Sequence, residues 1–203
     1  GSGQMQNTNS LNLSGANGKL YLSGISLVNV ETSADNLGLS VIGSSTVTDF
    51  SVSNLTPVSI ASSKDLSGSI IINAGGTIQL NDAGTLVADT SLAGGTLKVN
   101  SNSLTVSGTV SIAGDSTIEV ADDNTVNFSD GVINTQNYEL TLNNSGTVSF
   151  PQNSSGIVLN HEDGIFKLAG TGTVQAVQVS TVANPGKGIL VTQSGTISNL
   201  KIS

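Results

Sequence analysis

Residues 95 to 128 read GTLKVNSNSLTVSGTVSIAGDSTIEVADDNTVNF, a run that repeats one short pattern five times. Apolar residues alternate with small polar ones at Leu97 and Val99, Leu104 and Val106, Val110 and Ile112, Ile118 and Val120, and Val126 and Phe128. Each pair is followed by Gly, Asn, Asp or Ser. A period of two marks a strand with one face to bury, and the residues between strands tolerate the backbone angles of a sharp corner. From Gly108 onward the units begin at 108, 116, 124, 131, 138 and 146, seven or eight residues apart.

Three such units make a coil of about 22–24 residues. Longer matches agree, because Thr125 to Thr147 is 22 residues, Thr147 to Thr173 is 26, and Thr173 to Thr196 is 23. Three strands and three corners close one turn, and each turn can hydrogen-bond to the next at ~4.8 Å. The expected fold is therefore all-β, a right-handed parallel β-helix whose Val, Ile and Leu stack inward in columns. About eight coils would make a rod on the order of 40 Å long. A β-sandwich also alternates and turns, but its strands are usually longer and more aromatic, and it lacks a three-unit superperiod. Aromatics are only 3% of this chain, with no Trp, which suits a narrow core of thin, similar layers.

Residues 71–203 carry the regular pattern. Residues 6–70 alternate well at first (Leu11, Leu13, Leu20, Leu22, Ile25, Leu27) and then lose regularity, so they are expected to be less regular coils or a cap. Pro57 within them is expected on an edge strand or at a bulge. Residues 1–5 read as a remnant of cloning. The first ten residues, GSGQMQNTNS, have neither the basic region nor the apolar stretch of a signal peptide, and SGTISNLKIS stops on another alternating strand. The chain is thus expected to be a piece of something longer.

Units such as GGTLKVNSNSLTVSGTVSIAGDSTIEVADDNTVNF and YELTLNNSGTVSF resemble the passenger domains of bacterial autotransporters, the type V secreted surface proteins. The likeness covers roughly residues 70 to 203 and lies in texture, not in a diagnostic motif. It implies a rod displayed outside the cell for adhesion, spacing or self-association. The expected function is a non-catalytic adhesive or stalk segment of a secreted or cell-surface rod, with a host-cell surface protein or glycan as partner. Trimeric phage and adhesin fibres share the texture, so a homotrimer is the alternative; a polysaccharide-active β-helix enzyme is the more distant one. The absence of Cys fits export, where a thiol risks premature pairing.

Six Lys and no Arg against fourteen acidic residues give a net charge of −8. That excludes the cationic cluster needed for nucleic acid and disfavours anionic membranes. No apolar run is long enough to span a bilayer as a helix. No catalytic, cofactor or metal site is expected. The only His, His161, stands beside Glu162 and Asp163, and three consecutive residues do not converge on one point unaided. Asp122 and Asp123 are paired carboxylates, but a glycan-cleaving groove also calls for aromatic and basic neighbours. Asp115, Asp122, Asp123 and Asp130 sit at corners and are a calcium candidate only if adjacent coils bring them together. Thr recurs after the turn glycine (Thr77, Thr85, Thr96, Thr109, Thr147, Thr173 and Thr196, with Thr117 and Thr125 alike). Stacked Thr can order ice, which calls for paired Thr-x-Thr rows, and only Thr46 with Thr48 offers the pair. Ordinary strand propensity explains the rest.

Overall fold

The computed structural model describes residues 11–14, 17–32, 34–101, 103–129, 133–150, 156–159, 161, 163–175, 178–181, 188–198 and 201–202. Among them there are 26 strands and no helix. Every strand pairing is parallel, and each strand pairs with the strand one coil away. The chain is a parallel β-helix of three faces.

Face one is a nine-stranded sheet running from Lys19–Ser23 through Thr77–Asn81, Thr96–Val99 and Ser116–Val120 to Gly188–Val191. Face two starts at Ser26–Val28 and passes through Leu104–Val106, Thr125–Phe128 and Thr147–Ser149 to Thr196–Ser198. Face three starts at Leu11–Leu13 and passes through Val30–Thr32, Asp89–Ala93 and Val110–Gly114 to Lys201–Ile202. Two early strands, Ser45–Val52 and Asp65–Asn73, bend through the corner between faces two and three without a break. A register shift between Val47 and Phe50 and the positive φ of 111° at Gly68 make that bend. A side chain at Gly68 would also run into the Val47 backbone, so glycine is required there on both counts.

The period-2 pattern becomes columns. On face one Ile78, Leu97, Ile118, Leu142 and Leu168 lie directly over one another, all buried. Face two contributes Leu66, Leu86, Val106 and Phe128; face three contributes Val52, Ile72, Leu92 and Ile112. Burying each such side chain contributes about 1.5–3 kcal/mol, and the contribution repeats at every rung. Where the core widens, Phe128 and Phe150 stack with centroids 5.2 Å apart and planes at 14°.

The threonines that suggested the superperiod are true neighbours, since Thr125 pairs with Thr147, Thr147 with Thr173, and Thr173 with Thr196. Coil length is not uniform, however. Leu39 pairs with Val58 and Thr77 with Thr96, each 19 residues away, whereas Glu139 pairs with Ile165, 26 away. The longer coils belong to the C-terminal half, from which the 22–24 spacing was read. The earlier coils are tighter and place their strands on the same three faces.

Pro57 departs from expectation. It lies in Leu55–Ile60, an interior strand of face one flanked on both sides. Pairing with Gly38–Gly43 begins only at Leu39 opposite Val58, so the missing Pro57 N–H falls just outside that ladder.

Candidate functional site

The corner between faces one and two carries the paired carboxylates. Asp122 and Asp123 form a turn in which Asp123 takes a φ of 62° and its N–H donates to Asp122 Oδ1 at 3.1 Å. Both are exposed. They open onto a shallow concavity of about 450 Å³ whose other walls are Thr125, Ser145, Thr147, Thr171 and Thr173 with Gly146 and Gly172. A second hollow of about 520 Å³ lies on the same corner several coils earlier, lined by Ala61, Ser62, Asp82, Ala83, Asn100 and Ser101. Together they form a polar trough along the rod, walled by short side chains.

The four acids considered for calcium do not converge. Asp115 occupies the corner between faces three and one, not that of Asp122 and Asp123, and its Oδ1 accepts the Glu139 N–H at 2.9 Å. Asp130 lies outside the described residues. Among the described residues no group of three or more His, Cys, Asp or Glu is placed to hold a metal ion. His161 serves its own turn, where Nδ1 accepts the Asp163 N–H at 3.3 Å and its carbonyl accepts the Gly164 N–H at 3.0 Å. Glu162 lies outside the described residues.

The threonines fall into two single columns. One is Thr77, Thr96, Thr117 and Thr141 on face one; the other is the face-two column from Thr125 to Thr196. Two residues along face one the matching column is Gln79, Lys98, Glu119 and Asn143, with Lys98 and Glu119 ion-paired at 2.7 Å. That row lacks the second line of hydroxyls an ice-ordering lattice calls for. Thr46 bonds to Ser67 Oγ on the next coil at 2.8 Å.

Side chains that tie coil to coil are what sequence reading missed. Asp35 Oδ1 accepts the Leu55 N–H at 3.2 Å, and Asp89 Oδ1 accepts the Thr109 N–H at 2.9 Å, each 20 residues along. Two four-residue stretches use a fuller version. In Gly43-Ser44-Ser45-Thr46, Ser45 Oγ donates to Gly43 O at 2.7 Å and accepts from Gly24 N at 3.1 Å on the preceding coil. Ser44 Oγ meanwhile accepts the Asp65 N–H of the following coil at 3.1 Å. In Gly114-Asp115-Ser116-Thr117, Ser116 Oγ likewise donates to Gly114 O at 2.6 Å and accepts from Gly94 N at 3.1 Å. Asp115 then takes the part of Ser44. The glycine reached on the preceding coil has positive φ in both cases, 65° at Gly24 and 93° at Gly94. The signal was present as the repeated G-x-S-T, hidden because the two copies occupy different corners.

These arrangements satisfy backbone N–H groups that a corner leaves without ladder partners. They account for Asp35, Asp89 and Asp115 as structural residues. Comparison with known protein families, with characterised proteins and with solved structures finds no match to this chain.

Proposed function

We propose that this chain is a non-catalytic segment of an exported bacterial surface rod, serving as an adhesive surface or as a stalk that carries a binding tip outward. The observation that supports this reading is the unbroken stacking of nine strands on face one, each of whose apolar side chains continues a column. Such a fold transmits length and stiffness, and it adds reach by adding coils. The acidic, Arg-free surface suits a partner that is neutral or basic, such as a host-cell protein or glycan, and disfavours polyanions.

A single-chain rod is favoured over an intertwined trimer. The large apolar side chains left exposed among the described residues are Tyr21, Val28, Ile42, Ile71, Val87, Leu190 and Val191. They are spread over several faces and coils and draw no common seam for two partner chains to share.

Light scattering with small-angle X-ray scattering on one sample tests the arrangement. A monomer near 20 kDa with a rod-like profile is expected; a stable species of three times that mass overturns it in favour of the fibre. Beads coated with the protein then test adhesion. Retention on host cells that is abolished by soluble protein supports a lateral binding surface. No retention leaves the stalk role, which is checked by displaying the segment beneath an unrelated binding tip and measuring the tip's distance from the membrane.

A further inference from the structure

We draw no further inference here: the strongest candidate, the shallow trough along the corner between faces one and two where Asp82, Asp122 and Asp123 stand among Ser, Thr and Gly of successive coils, is a stripe of small polar residues and carboxylates that the turns themselves require, and nothing in the structure points to what would occupy it.

Discussion

Asn144 interrupts an otherwise apolar column. Val58, Leu80, Val99 and Val120 lie beneath it in register, and it is itself fully buried. Its Nδ2 donates to Thr173 O at 2.9 Å on the next coil, while Oδ1 has no hydrogen-bond partner among the described residues. The amide thus ties two coils at the cost of an unmet acceptor, a penalty of about 1–3 kcal/mol. Asn144→Asp removes the donor and places a carboxylate where water does not reach. We expect it to destabilise the fold by about 3 kcal/mol or more at neutral pH. Burial raises the folded-state pKa of that new carboxyl above its unfolded value near 3.9. The penalty is therefore least when both states are protonated and grows as pH rises above the unfolded pKa, levelling off past the folded one. Urea midpoints at pH 3.5 and 7 check this, and an equal penalty at both places the side chain in contact with water. Gly170 marks the same spot from the other side, because a Cβ there would overlap the Asn144 carbonyl. Gly170→Ala should cost about 3 kcal/mol or more, since backbone must move to admit the methyl. A loss below ~0.5 kcal/mol would show that these two coils stand further apart than described.

At the scale of the element, short strands rely on their corners. A three-residue strand such as Leu104–Val106 makes few ladder bonds of its own, so the connection on either side must hold the register. The G-x-S-T segments do this by reaching both ways, with serine bonding the coil before and the residue ahead of it capping the coil after. Ser116→Ala leaves Gly94 N without its acceptor and Gly114 O without its donor, and should cost about 1–2 kcal/mol. Asp115→Asn keeps an acceptor for Glu139 N and should be nearly neutral, whereas Asp115→Ala should cost about 1 kcal/mol. Urea melts with unchanged slopes measure all three. If Asp115→Asn is as damaging as Asp115→Ala, charge rather than capping is what Asp115 supplies. These segments also show what sequence could and could not reveal. Inward positions such as Ile112, Ile118 and Val126 were legible because alternation depends only on neighbours two residues away. Bonds such as Ser116 to Gly94 were not, because they join residues 22 apart and depend on the coil length. The same blindness explains Pro57, whose tolerance inside a sheet rests on where the adjoining ladder begins.

Over the whole molecule, register rather than sequence identity decides which residues meet. Thr125, Thr147, Thr173 and Thr196 revealed the superperiod because the C-terminal coils keep the same residue type at the same height. The earlier coils run at 19–20 residues, as in Thr77 to Thr96 and Ile70 to Thr90, and so looked irregular against a 22–24 ruler. The candidate acids were legible as residues and illegible as a set, since assigning Asp115 and Asp122 to different corners needs the path of every strand between. If columns are the organising principle, a whole coil can be removed without disturbing those on either side. The chain offers a natural splice. Ala74-Gly75-Gly76-Thr77 and Ala93-Gly94-Gly95-Thr96 are the same four residues one coil apart, with Thr77 paired to Thr96 and positive φ at Gly75 and Gly94 alike. Deleting residues 78–96 joins Thr77 to Leu97, which follows the identical AGGT in the intact chain. Ile72 then lies under Ile112 in place of Leu92, and Ser69 under Thr109 in place of Asp89. The shortened protein should fold cooperatively and lose one rung, about 4.8 Å of length, with some loss of stability because Ser116 no longer meets Gly94. Circular dichroism per residue should be unchanged, and the maximum dimension from X-ray scattering should fall by about 5 Å. As a control, deleting residues 78–95 removes one residue fewer and leaves two threonines in succession, which turns Leu97 and Val99 outward. That variant should aggregate or unfold. Equal behaviour of the two deletions would mean that the coils are held by something other than the register of their columns.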